Sequence, residues 1–286
     1  MITIYNRQTK EFEHVKNSLG LSFLYNTIVG RIILKVATSK IISQISGKLL
    51  NSKISKVIIP QFIRKYQIDM NDYPQKKYQS FNDFFCREII PQKRNVDSNK
   101  NHLVAPADSS LMVYPINNNC LLKVKNSLYT ISELIQDQSL AKNYQNGYCL
   151  VFRLGVKDYH HYIFIDDGEI KNNKKIKGVF HTVNPIAYKR YRVFKENNRE
   201  WSLLKTKNFQ AIIQIEVGAL NVGKIINQNI LKFNKGDEKG YFAFGASTVI
   251  LLIKKDVVEI DQDIMHNSQK NIETMVKLGE KIGQKK

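Results

Sequence analysis

The sequence predicts an α+β chain, with a helical and strongly basic region over residues 1–100 and a compact, mainly antiparallel β domain over 101–286. Three observations lead there. Residues 14–68 hold no Asp or Glu but carry a row of Lys and Arg, with apolar residues recurring at helical spacing. From Leu103 onward the texture changes to short β-type runs separated by Asn, Asp and Gly clusters. Those runs do not alternate with helical segments, which argues against βαβ units.

Composition narrows the alternatives. A chain of 286 residues is long enough for one large domain or two modest ones with a substantial core. Apolar residues at 43% and charged residues at 24% are ordinary globular values, which excludes wholesale disorder. Forty-four basic against 25 acidic residues give +19, so the chain expects an anionic partner, a membrane surface or nucleic acid. Its cations are not interleaved with aromatics in any nucleic-acid-binding motif, and nucleic acid is not expected. Cys86, Cys120 and Cys149 are odd in number and far apart, with no metal-ligand spacing, which suggests a reduced, cytoplasm-facing compartment and no metal. The N-terminus opens without an apolar run of signal-peptide type.

Taken in chain order, Leu21, Leu24, Tyr25, Ile28, Val29, Ile32, Ile33 and Val36 form one apolar stripe of a helix, with Arg31 and Lys35 on its other face. The longest uncharged run there, residues 17–30, falls short of the roughly 20 apolar residues that span a bilayer. Such a helix lies in the plane of a membrane interface, its cations near lipid phosphates, or caps the β core. Ser80 reads as the N-cap of a short helical turn carrying Phe81, Phe84 and Phe85. Strands are expected at 111–114, 121–124, 148–152, 162–165, 211–217, 241–244 and 248–253, and a final polar helix and tail beyond Gln262.

Three segments carry chemistry. Ala105-Pro106-Ala107-Asp108-Ser109 sets an acid after a rigid turn. Arg153-Leu154-Gly155-Val156-Lys157-Asp158-Tyr159-His160-His161 is followed by His181-Thr182-Val183-Asn184-Pro185. Residues 235–248 end in Phe244-Gly245-Ala246-Ser247-Thr248. An acid, several histidines and a serine on a tight turn suit nucleophilic catalysis, although the Gly-x-Ser-x-Gly elbow of the serine hydrolases is absent.

In order and spacing these segments resemble the phosphatidylserine decarboxylases. The likeness rests on Phe81 to Arg87, Pro106 to Asp108, Asp158 to His160, Val183 to Pro185, Val217 to Ala219, Val222 to Ile225 and Lys235 to Thr248. It implies that the Ser247 hydroxyl attacks the Ala246 carbonyl, so that the chain breaks between them into a β chain, 1–246, and an α chain, 247–286. The new terminus becomes a covalent pyruvoyl group, the only cofactor, which forms a Schiff base with phosphatidylserine; CO2 leaves and phosphatidylethanolamine is released. The resemblance further implies that Asp108 orients a histidine that deprotonates Ser247, that His160 reprotonates the decarboxylated carbon, and that a homodimer is reasonable. The enzyme is expected on the cytoplasmic side of the cell membrane, bound peripherally to its anionic surface.

The chain departs from the family pattern at three places. Ala246 stands where Gly is common, and Ser109 follows Pro-Ala-Asp where Gly is usual. Many members carry a second histidine three residues after the first, as the cleavage base; here that position is Ile163. His181 or His160 itself is left to supply the base, while His161, on the opposite strand face, reads as a packing or surface residue. Arg153 and Asp158 read either as ligands of the substrate phosphate or headgroup or, in preference, as a buried ion pair that holds the loop; Asn184-Pro185 is expected to form a turn, and Glu238 to steady the approach to the cleavage site. Ile163 and Ala246 also leave room for a non-catalytic homologue that binds anionic lipid.

Overall fold

The computed structural model describes residues 2–16, 18–124, 127–219, 224–243, 245 and 247–286. Phe244, Ala246 and Val222–Gly223 of the motifs above lie outside them. Nine α-helices are present among the described residues: α1 (Leu19–Asn26), α2 (Ile28–Ala37), α3 (Lys40–Leu50), α4 (Ile59–Tyr66), α5 (Phe81–Phe85), α6 (Ile131–Ile135), α7 (Gln138–Ala141), α8 (Val193–Glu196) and α9 (Gln262–Gln269). The strands are β1 (Ile2–Asn6), β2 (Glu11–Val15), β3 (His102–Val104), β4 (Ser109–Pro115), β5 (Leu121–Val124), β6 (Ser127–Thr130), β7 (Tyr148–Leu154), β8 (His161–Ile163), β9 (Gly168–Ile176), β10 (Arg199–Thr206), β11 (Ala211–Val217), β12 (Ile225–Asn227), β13 (Lys232–Phe233), β14 (Glu238–Phe242), β15 (Ser247–Ile253), β16 (Val258–Ile260), β17 (Glu273–Val276) and β18 (Lys281–Lys285).

Ten strands form the main sheet, in the order β13-β9-β10-β11-β15-β7-β4-β17-β1-β2. Its pairings are antiparallel except for β1 against β17. The expected mixed α+β chain dominated by β structure is what is found. β15 runs in the middle, and all seven of its residues, Ser-Thr-Val-Ile-Leu-Leu-Ile, are buried, as a strand covered on both faces requires. Alternation along β10 shows what covers those faces. Arg199 and Trp201 point one way and donate to backbone carbonyls of α6, at Leu134 and Ile135. Glu200 points the other way, toward Asn227 of a small sheet, β12-β14-β8. That second sheet positions the site.

The N-terminal region differs from its expected form. The stripe over Leu21–Val36 is two helices, bent by 99° where they meet. Thr27 causes the break: its backbone is extended, and its hydroxyl accepts from Gly30 N–H and so caps α2. The corner is tight enough that a Cβ on Gly30 would come within 2.1 Å of the Phe23 carbonyl. No single helix among the described residues is long and apolar enough to cross a membrane. Leu34 of α2 is buried, whereas Ile28 at 71% and Ile32 at 65% exposure turn outward.

Two further differences concern the ends. Residues 2–15 are not helical; β1 and β2 extend a sheet built otherwise from residues beyond 108. The expected polar tail after α9 is instead two strands, β17 between β4 and β1 and β18 between β16 and β3. Their short runs, Glu-Thr-Met-Val and Lys-Ile-Gly-Gln-Lys, carry too few apolar residues to announce themselves. Ser80 caps α5 as expected, accepting from Asp83 N–H at 3.1 Å.

Candidate active site

Ser247 is the first residue of β15, paired with Leu154 of β7, and it is wholly buried. By strand alternation its side chain shares a face with Val249, which lies opposite Glu216, and this is the face covered by the small sheet. The chain therefore leaves β14 in one sheet and enters β15 in the other within a few residues. Gly245 takes φ +131 in that crossing, a value that suits a residue without a Cβ.

The small sheet delivers His160, which directly precedes β8. Its carbonyl accepts from Phe242 N–H at 3.0 Å, tying it to the segment that leads into Ser247. Its ring lies 4.3 Å from that of Phe85. Nε2 is 2.9 Å from the Gly155 carbonyl and Nδ1 is 3.2 Å from Ser247 Oγ. A carbonyl only accepts, so Nε2 carries the hydrogen and Nδ1 is left bare toward the serine hydroxyl. Burial pushes the His160 pKa down to about 3, with the Gly155 hydrogen bond opposing and the charges of Arg87 and His161 adding to the fall. The imidazole is neutral, as a proton acceptor must be.

Gly155 is held in turn. Its N–H donates to Asp158 Oδ2 at 2.7 Å, and a Cβ at Gly155 would sit 3.3 Å from that oxygen. Burial raises the Asp158 carboxyl to about 6, against the Gly155 hydrogen bond and with the help of the Asp108 charge. Asp158 thus holds its loop, but not through Arg153. The buried partner of Arg153 is Glu273, which approaches it closely on β17.

Asp108 stands elsewhere than the resemblance implied. Arg94 grips it with Nε at 2.8 Å and Nη2 at 2.6 Å, and Leu278 N–H donates to it at 2.8 Å. Lys277 is 3.7 Å away. Among the described residues no hydrogen bond joins Asp108 to a histidine. It anchors the Pro106 turn to the loop between β17 and β18.

The other histidines are separate. His161 stacks between Tyr159 and Tyr241, with Nδ1 2.7 Å from Glu238 and Nε2 3.2 Å from the Cys86 carbonyl, so it is a packing residue as expected. His181 stacks on Tyr191 at 4.0 Å and meets the edge of Tyr25; its Nε2 is 3.9 Å from Glu196, and its Nδ1 is buried without a partner among the described residues. Ile163 packs with Tyr73, Tyr159 and Leu278. Asn184 forms a turn, its side chain accepting from Ile186 N–H.

Sequence reasoning missed the Gly155 carbonyl, since a backbone oxygen leaves no residue signature, and it missed a buried pair beside the site. Lys239 Nζ on β14 donates to Glu216 Oε2 on β11 at 2.8 Å and to Asn227 Oδ1 at 3.1 Å, and Asn227 Oδ1 also accepts from Tyr162. Burial raises the Glu216 carboxyl, against the pull of Lys239.

The sequence model of the family described as "Phosphatidylserine decarboxylase" matches residues 81–284. The chain is similar to "Phosphatidylserine decarboxylase proenzyme 2" of Clostridium acetobutylicum, 53% identical over 286 residues, which cover 99% of this chain and 98% of that one. It is likewise similar to the "Phosphatidylserine decarboxylase proenzyme" of Clostridium botulinum strain Alaska E43, at 42% identity over all of this chain and 99% of the relative. The protein of the same name from Clostridium tetani is 41% identical, with 100% and 99% covered.

Proposed function

This chain belongs to the phosphatidylserine decarboxylase family, and on that premise we propose that it cuts itself between Ala246 and Ser247 and then decarboxylates phosphatidylserine at a membrane surface. The observation that carries the reading is the hydroxyl of a buried serine aimed at the bare Nδ1 of a buried, neutral histidine.

His160 takes the Ser247 proton as Oγ attacks the carbonyl carbon of residue 246. The acyl group moves from nitrogen to oxygen, and the proton on His160 is passed to the departing nitrogen. Loss of the Cα proton of residue 247 then expels the 246 carboxylate, leaving a dehydroalanine whose hydrolysis releases ammonia. The residues fit the group this forms, since it grows from Ser247 itself and keeps the His160 ring beside it. The pyruvoyl ketone supplies an electron sink for the pair left when CO2 departs. His160 Nδ1 faces the same position and relays to the decarboxylated carbon the proton that the reaction draws from solvent.

Gly155 and Asp158 fix the tautomer of His160, the task the resemblance assigned to Asp108. Asp108 contributes as an anchor that joins residues 94 and 108 of one fragment to Leu278 of the other. His181 sits in its own aromatic cluster, which favours His160 as the base.

The outward apolar residues of α2, with Ile45 and Leu49 of α3 and Ile54 and Val57 beyond, lie among Lys35, Lys48, Lys53 and Lys56. Such a surface suits peripheral seating on the anionic cytoplasmic leaflet, where each cation contributes about 1 kcal/mol.

Intact-mass analysis of the purified protein tests the whole reading. Two fragments, 1–246 and 247–286, the second with a keto group in place of its amine, are expected, and a Ser247→Ala variant stays in one piece. A folded wild-type protein with a continuous backbone and no decarboxylation would instead be a lipid-binding homologue without activity.

A further inference from the structure

A cleft of about 610 Å³ opens between α3 and the end of the paired strands β12 and β14. Its wall includes Gln44, Lys48, Asn51, Asn82, Lys224 and Ala243. None of the described residues lining it is acidic. The Asn82 amide donates to Asn51 Oδ1 at 3.0 Å, which ties the far wall of the cleft, on α5, to the end of α3.

Two short paths lead from this cleft to the reaction centre. Ala243 N–H donates to the Lys224 carbonyl at 3.0 Å, and the preceding residue, Phe242, donates to the carbonyl of His160. On α5, Asn82 faces the cleft, and Phe85, about one turn on, packs against the His160 ring. In the other direction the same α3 that supplies Lys48 exposes Ile45 and Leu49, at 57% and 63%. The cleft thus lies between an outward apolar face and the buried serine.

We propose that this cleft binds the phosphodiester of the substrate lipid, with Lys48 and Lys224 as its cations and the amides of Gln44 and Asn51 as further donors. The inference rests on the decarboxylase reading and names a subsite for it. A phosphodiester carries one negative charge on two exposed oxygens, which suits two ammonium groups in an acid-free cleft. In a serine-headed lipid that group stands between the reacting amine and the acyl chains. The cleft has the same order, between Ser247 and the apolar helices. The pocket beside Arg94 is poorly suited, because four carboxylates, Asp69, Asp72, Asp108 and Asp158, line it.

The test uses full-length protein and dihexanoyl-phosphatidylserine kept below its aggregation concentration, so that no bilayer charge contributes. A Lys48→Glu/Lys224→Glu variant is expected to cleave itself as the wild type does, while its KM for the monomeric lipid rises at least about tenfold. Lys48→Arg/Lys224→Arg is expected to stay near the wild-type KM. The single Lys48→Glu variant, far in sequence from the scissile bond, gives the same reading should the double variant fold poorly. An unchanged KM for the monomer overturns the subsite, and so does a defect that shows only on anionic vesicles, since the cations then serve the surface. A wild-type protein that neither cleaves nor decarboxylates overturns the decarboxylase reading, and the subsite falls with it.

Discussion

The Gly155 carbonyl sits 2.9 Å from His160 Nε2 and so decides which nitrogen of the ring is free to take a proton. Serine nucleophiles are often served by a histidine whose far nitrogen is held by a carboxylate. Here a neutral acceptor does the holding, and the carboxylate of Asp158 stands one hydrogen bond further away, on Gly155 N–H. The ring is thereby oriented without a carboxylate on it, in keeping with its low basicity.

Replacing the base should separate the histidines. His160→Ala is expected to slow self-cleavage by a factor of at least about 100, the usual contribution of general-base catalysis. His181→Ala should still yield both fragments. Intact mass over a time course measures both, and fast cleavage by the His160 variant contradicts the assignment.

The pH profile of self-cleavage should look unlike that of an exposed imidazole. A histidine held at about 3 stays neutral far below its ordinary 6.5. The rate is therefore expected to be flat from about pH 8 down to about pH 5, where an unperturbed histidine would already be largely protonated. A half-point near 6.5 rules out the buried geometry.

Asp158 should impose the opposite trend on stability. Its folded pKa of about 6 lies above the unfolded value, so its contribution is full at low pH and is lost as pH rises through 6. Asp158→Asn retains an oxygen for Gly155 N–H and removes the charge. In a Ser247→Ala background it should gain stability over its parent at about pH 8, by about 3 kcal/mol at most, and show little gain at about pH 4. His160, depressed, loses its contribution as pH falls below about 6.5, and that loss is common to both proteins. Urea unfolding at the two pH values checks the sign.

The pair between Lys239 and Glu216 offers a sharper stability test. Lys239→Met strands a buried carboxylate and should cost about 3–5 kcal/mol. Adding Glu216→Gln removes the stranded charge, and most of the loss should return. Denaturant midpoints on uncleaved Ser247→Ala protein report both, and additive losses in the double variant refute the coupling.

Seating on lipid is checked at α2. Ile28→Asp/Ile32→Asp places two carboxylates on the outward face and should weaken co-sedimentation with anionic vesicles by at least about tenfold. Self-cleavage should proceed as before, since neither side chain touches the site.

How much of this was legible in the sequence follows from the kind of signal each part leaves. β15 reads as a strand because seven buried residues in a row must be apolar or small. Ser247, His160 and Asp158 were visible as motif residues. Their wiring was not, since it runs through the backbone of Gly155 and through the closeness of β8 to β14, which are far apart in the chain. The Asp108 motif was seen, but its partner Arg94 lies in a stretch with no pattern. The Lys239–Glu216 pair was hidden because charged residues in strands usually mark a solvated face. The apolar stripe of α1 and α2 is plain in the sequence, but periodicity alone does not reveal that Thr27 turns the chain.

Because β15 lies between β11 and β7, the proposed cut before Ser247 would free a chain end without freeing a piece. Residues 247–286 supply a central strand of the main sheet, another strand of it, and two strands of the β16-β18-β3 sheet, so the two products stay threaded through each other. The intact precursor regains its shape from one molecule. The cut form, once unravelled, must recover it by a bimolecular encounter, with a dependence on concentration that the precursor lacks. With that cut, maturation would make folding history matter: the working enzyme would be reached easily only through a chain that does not yet work.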